Sequence, residues 1–395
     1  MKLGYNKGTT WRRFSSYLLC KLQSNPWNPS SVNVIEFRYH KESKNPKSQH
    51  GKFIGQDTRT IGSVLSINNF LYMNDGAFVF AMREASEKAA QLICDHFQLF
   101  GLTVHTGSRE TKSKSKTEAV YFPPSLQAAK DHQDLPADIE LDENRFISFS
   151  PSFRYLGSII SRDLTDDLEI EARIKKAYSQ MGALSYFWHC SDADLMTKYW
   201  VYLAGPLNTL LWGAESWSLS ARNLSRLRSF HHSVIRRILH IKWEHVREDR
   251  ITNEEVRARF HNIPDIEAFI NRRTWRYIGK VYRNDPYSIP KKLLGAWIHC
   301  PRKIGAPQLS CKKHFANVIS TVFPDAGNAD FKKWAPLALQ EAKWEAQLNK
   351  YFDESKTFIE YEEDQTPDNQ TAPARTITPR VSTREFFSAA LNTKN

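Results

Sequence analysis

The sequence predicts an α+β chain: antiparallel hairpins with one long helix, then an all-helical region, then a tail without a core. Short aromatic and β-branched runs bounded by turn residues crowd positions 52–160. From about 165 onward, apolar residues recur instead at spacings of three and four. Beyond 361 the chain is rich in Glu, Asp, Thr, Pro and Gln and poor in apolar side chains, so burial there cannot offset the entropy of ordering and disorder is expected.

Residues 1–50 mix aromatic and basic side chains with breaks at Asn25-Pro26 and Asn28-Pro29, and hold one candidate strand, Val32–Tyr39, suited to pair with Lys52–Ile54. The central stretch is Phe70-Leu71-Tyr72-Met73-Asn74-Asp75-Gly76-Ala77-Phe78-Val79-Phe80. Two apolar runs flank a polar corner, which reads as a β-hairpin with Asn74 and Asp75 at its tip. On these residues alone a plain hairpin explains the pattern as well as a functional corner does. Ala89, Leu92, Ile93, Phe97 and Phe100 then repeat at helical spacing, so a helix runs from Arg83 to Phe100 with Gly101 as its stop. After a basic loop, Ser115-Lys116-Thr117-Glu118 leads into a strand, Ala119–Phe122, closed by Pro123 and Pro124. An acidic connector over 125–145, turning at Asp142-Glu143-Asn144, precedes strands at Phe146–Phe149 and Phe153–Ile160.

Helices follow. Thr165 is placed to cap one whose first turn carries Asp166, Asp167 and Glu169, where the helix dipole favours negative charge. Ile170, Ile174, Ala177, Met181 and Leu184 form its packing stripe, and Arg173, Lys175 and Lys176 are assigned to the opposite face. That face suits a duplex backbone, although a solvated face explains each cation singly. Further helices are expected over 193–212, 217–241 and 265–284, and a last one over Phe331–Phe352. Trp188, Trp200, Trp212, Trp217, Trp243 and Trp275 are dense here, as core or as base-stacking surfaces. The paired cations Arg236-Arg237 and Arg272-Arg273, with Lys291-Lys292 and Lys312-Lys313, are the candidate phosphate contacts. His299-Cys300 with Cys311 and His314 has poor zinc spacing, since adjacent residues on an extended chain point to opposite sides.

The whole-chain quantities bound the partners. A net charge of +12 and a pI near 9.3 suit a polyanionic partner, RNA, DNA or an RNA–DNA hybrid, or simple solubility. Five scattered cysteines argue against a disulfide framework and for a reducing intracellular compartment, nucleus or cytoplasm, rather than secretion. No apolar run reaches the roughly 18 residues of a membrane span, and Tyr17-Leu18-Leu19-Cys20 is too short for a signal peptide core.

From Lys52 to roughly Asp325 the chain resembles the palm and thumb of reverse transcriptases from non-LTR (LINE-type) retrotransposons. Tyr72-Met73-Asn74-Asp75 looks like that family's Tyr-X-Asp-Asp box, and Lys116-Thr117-Glu118 like the lysine-bearing element after the palm helix. Phe153-Arg154-Tyr155-Leu156-Gly157 resembles its primer grip. The three occur in the family's order and spacing. The resemblance implies a division into an N-terminal segment (1–50), a partial palm (51–160), a thumb-like and connection region (161–325), a C-terminal helix (326–360) and a disordered tail (361–395). It also implies a catalytic set at Asn74, Asp75 and Lys116, a Mg2+ or Mn2+ ligand at Asp75, and nucleic-acid contacts at Phe153, Tyr155, Leu156 and Gly157.

Departures from the pattern weigh against polymerisation. Two-ion catalysis needs concentrated carboxylates. The family's principal metal ligand is the first aspartate of the box, and Asn74 stands there. An amide oxygen can coordinate a hard cation but brings no formal charge. The only aspartate before Asp75 is Asp57, in the turn-like run Gly55-Gln56-Asp57-Thr58-Arg59-Thr60. That lies too close to be the family's other metal-binding aspartate. The expected function is therefore a reverse transcriptase-like fragment that binds nucleic acid without sequence preference and lacks polymerase activity. The alternatives are a polymerase portion completed by other segments or another chain, and an inert remnant.

Overall fold

Tight connections and helical stripes appear where the residues demand them, with several shifts of boundary and partner. The computed structural model describes residues 35–39, 63–67, 69–72, 75–80, 82–123, 134–294 and 311–356, all within one compact unit, Met1–Phe358. Strand β1 (Ile35–Tyr39) pairs antiparallel with β2 (Ser63–Ile67). The expected partner of the first strand, Lys52–Ile54, lies outside the described residues. The register sets Ile35 opposite Ile67 and Phe37 opposite Leu65.

β3 (Asn69–Tyr72) and β4 (Asp75–Phe78) form the expected central hairpin, with Tyr72 opposite Asp75. Asp75 therefore begins the returning strand, and Met73 and Asn74 lie outside the described residues. Helix α1 (Arg83–Leu99) follows as expected, but its buried face is Ala89, Ala90, Ile93, Cys94 and His96, with Leu92 and Phe100 exposed. The helix is rotated by about one residue because Ala90, a small side chain, packs on Ile139 and Ile147. That surface belongs to a small sheet of β5 (Gly107–Ser108), β6 (Glu118–Ala119), β7 (Ile139–Glu140) and β8 (Arg145–Phe149). β6 runs parallel to β8, unlike the other pairs, because the long connection between them permits a crossover. β9 (Ser152–Tyr155) and β10 (Ser158–Ser161) make a second tight hairpin.

Helices then take over. α2 (Asp167–Ala183) opens after Asp166, not under a Thr165 cap, because the Asp166 carboxylate accepts the Ser218 N–H at 2.7 Å and ties the helix start to a distant loop. α3 (Ser185–His189) and α4 (Leu195–Tyr202) lead into a π turn, Leu203–Leu207, where Pro206 removes a backbone donor, and on to α5 (Asn208–Leu210). α6 (Ala221–Ile238), α7 (Trp243–Glu248), α8 (Asn253–Arg259) and α9 (Ile266–Arg283) follow, then α10 (Ile289–Leu294) and α11 (Cys311–Val322). The expected final helix is two, α12 (Phe331–Leu339) and α13 (Glu341–Glu354), broken at the extended residue Gln340.

Two helical cores result. One is built from Ile170, Met181, Trp188, Tyr202, Leu227, Phe230 and their neighbours, and the other from Trp275, Val318, Ile319, Trp334, Trp344 and Leu348. α9 serves both, with Ile266, Phe269 and Ile270 in the first and Trp275, Ile278 and Val281 in the second. The second core joins helices on either side of position 325. The expected disordered tail lies outside the described residues. No described helix is long and apolar enough to cross a membrane.

Candidate functional site

The two tight hairpins meet. The Tyr155 hydroxyl, at the end of β9, reaches the Phe70 carbonyl oxygen of β3 at 3.5 Å, the outer limit of a hydrogen bond. Burial pushes the Tyr155 hydroxyl above its ordinary pKa, and the nearby Asp75 carboxylate pushes it the same way, by disfavouring a second negative charge. Phe153 lies tilted beside Tyr155, ring centroids 6.4 Å apart. Phe70, Tyr72 and Asp75 remain exposed on the facing hairpin. Asp75, Phe153 and Tyr155 are thus brought together. Lys116 stands exposed on the loop before β6, and among the described residues no hydrogen bond or ion pair joins it to them. Asn74 lies outside the described residues.

The turn of the second hairpin is held from below. Leu156 and Gly157 both adopt left-handed backbone conformations, φ 48° and 87°, the pairing that a two-residue hairpin turn requires. The Gly157 carbonyl accepts from Arg173 Nη2 at 2.5 Å, and Arg173 Nε donates to Glu169 Oε1 at 2.6 Å. The other Glu169 oxygen accepts the Ile159 N–H at 2.8 Å. Trp212 lies over the Arg173 guanidinium at 6.0 Å. Arg173 is only 5% exposed, so it is not the surface cation expected on α2. Its position three residues after Ile170 and four before Ala177 places it on the inward stripe, and its charge is accommodated there by Glu169 and a carbonyl. Lys175 and Lys176 are exposed as expected, Lys175 pairing with Glu171 at 2.6 Å.

The other cations divide. Arg237 is exposed on the last turn of α6. Arg236 is half-buried, donates to Asn253 Oδ1 and lies over the Trp243 ring at 5.0 Å. Arg272 packs over Phe352 at 4.7 Å, and burial lowers its guanidinium to about 10, still charged at neutral pH. Arg273 donates to Asn208 Oδ1. Arg272 and Arg273 are half-buried and tie α9 to α13 and α5. Sequence reasoning gave Glu169 only a place in the first turn of α2, did not join Trp212 to Arg173, and missed the exposed Arg222. α6 carries five arginines and no acid, a charge asymmetry that points to Arg222.

Chemically, the arrangement offers an exposed carboxylate, a phenol and a fixed hairpin turn beside helices with exposed cations. Asp75 is the one carboxylate this hairpin contributes, and among the described residues no three His, Cys, Asp or Glu side chains gather around one point. That donor set does not fit a two-ion clamp. His314 contacts Thr274 Oγ1 through Nε2 at 3.3 Å. No family model matches the chain, and no curated protein or solved structure matches it either.

Proposed function

We propose that this chain is a reverse transcriptase-like palm and thumb that binds RNA, DNA or their hybrid through charge and does not polymerise DNA. The observation that carries the reading is the meeting of the Tyr72–Asp75 and Tyr155–Gly157 hairpins, which sequence separates widely. In the family that the sequence resembles, these hairpins are the metal corner and the primer grip. The exposed Lys175, Lys176, Arg222 and Arg237 supply phosphate contacts that position a duplex without reading its bases. Asp75 as the one carboxylate of the 70–80 stretch, with Asn74 in the sequence where the box has its first aspartate, supports a site unable to hold Mg2+ or Mn2+ for catalysis.

Primer extension tests the catalytic half of this reading. The chain is expected to add no nucleotides to a primer on RNA or DNA template with magnesium or manganese. Template-dependent incorporation that Asp75→Ala abolishes would overturn it. Asn74→Asp is expected to tighten manganese binding, read by paramagnetic broadening of the hairpin amides, because two adjacent carboxylates attract a hard cation. Extension should stay absent in that variant, since the third carboxylate of the clamp is still missing. An unchanged ion affinity would show that the hairpin tip is not a metal corner.

A further inference from the structure

Between α6 and α8 the chain leaves the core. His240 and Arg250, neither a glycine, adopt left-handed conformations, φ 56° and 50°, at the two ends of this excursion. The helix inside it, α7, buries none of its residues. It is nevertheless anchored at its start, because the Ile241 N–H returns to the Arg236 carbonyl at 2.9 Å and the His240 N–H to that of Arg237 at 3.3 Å. At the head of α7 stands Trp243, 66% exposed, with the Arg236 guanidinium 5.0 Å from its ring centre. A large indole left in water forgoes most of its burial free energy and keeps a flat apolar face open to a ligand.

The surroundings select that ligand. The cation over the indole fixes the ring before anything binds, which lowers the entropy lost on stacking. Lys242 directly precedes it and Arg237 stands on the last turn of α6, both exposed; α6 carries no acid, and the one acid adjoining Trp243 in the chain is Glu244. An aromatic face with cations beside it matches an unpaired nucleobase and its flanking phosphates. Stacking asks nothing of base identity. Bases within a duplex already stack on one another and gain far less from it.

We propose that Trp243 is a stacking platform for an unpaired base of single-stranded RNA or DNA, with Arg237 and Lys242 on the adjoining phosphates. This rests on the nucleic-acid-binding reading above and adds to it a strand class and a site away from the two hairpins. Because α7 buries nothing, substitution there leaves the core intact. The experiment measures affinity of the full chain for a labelled single-stranded oligonucleotide and for an RNA–DNA hybrid duplex of equal length. Trp243→Ala is expected to weaken single-strand binding about tenfold with an unchanged salt slope, and to change hybrid binding by under about twofold. Trp243→Phe, which keeps an aromatic face, should recover most of the loss. Arg237→Ala should instead lower the single-strand salt slope by about 0.7. Equal loss on both probes, or no loss on either, would overturn the stacking platform while leaving duplex binding standing. Absence of any binding by the unaltered chain would remove the underlying reading, and the platform with it.

Discussion

Gly279 has no room for a side chain. A Cβ there would sit 2.3 Å from Nε1 of Trp344. Trp344 stacks on Trp275 with ring centres 3.6 Å apart and planes 9° from parallel, and each indole N–H donates to the other residue's carbonyl, at 3.0 and 3.1 Å. Gly279→Ala gains about 1 kcal/mol of helix propensity but must displace this pair, so a net loss of about 1–3 kcal/mol is expected. A urea midpoint equal to or above that of the unaltered chain would show the pair to be looser than described. Arg173 gives a second prediction at this scale. Removing one partner of a buried ion pair leaves the other uncompensated, so Arg173→Ala should lower stability by about 3–5 kcal/mol. The salt slope of nucleic-acid binding at a temperature where the variant stays folded should be unchanged; a slope reduced by about one phosphate would return Arg173 to the surface role that its sequence suggested. Its spacing from Ile170 and Ala177 separates Arg173 from Lys175 and Lys176, but its carbonyl partner, Gly157, comes from a different element that no local pattern announces.

At the scale of elements, α4 and α6 are joined through a histidine. Tyr202 donates to His231 Nδ1 at 2.7 Å, and His231 Nε2 donates to the Pro264 carbonyl at 3.1 Å, which fixes the neutral tautomer. Burial lowers the His231 pKa to about 3, with His232 adding to the effect and Asp265 opposing it. The unfolded chain therefore takes up this proton first as pH falls. Stability from this group is complete above about pH 6.5 and declines by about 1.4 kcal/mol per pH unit down to about pH 3. Between pH 7.5 and 5 the urea midpoint should fall, and His231→Gln should flatten the dependence by close to one proton. An identical slope in the variant would mean that His231 is protonated in the fold. Elements with a clear repeat were legible in advance: the 70–80 hairpin, α1, α2, α6 and α9. The break at Gln340 was not, because apolar residues continue across it and only the packing of Trp334 on Tyr282 and of Trp344 on Trp275 shows the two helices. The partner of β1 was hidden for a related reason, since register depends on a strand distant in sequence.

For the molecule as a whole, the α+β class and the order of its parts were readable from periodicity, whereas the contacts that make a site were not. Tyr155 and Phe70 meet across the entire α1 and sheet region, and no local pattern announces that. The two helical cores share α9, so substitutions in either core should unfold both helical parts in one transition. Two separated transitions, seen by tryptophan fluorescence and far-UV circular dichroism, would contradict such sharing. Charge acts at the same scale, with +12 over the chain and its exposed cations on α2 and α6. The most direct measurement of the central claim is the affinity of the full chain for an RNA–DNA hybrid duplex as a function of salt. Log affinity should fall linearly with log salt concentration, with a slope reflecting several neutralised phosphates and the same for duplexes of unrelated sequence. Binding that is undetectable at low salt, or that salt does not weaken, would contradict the claim.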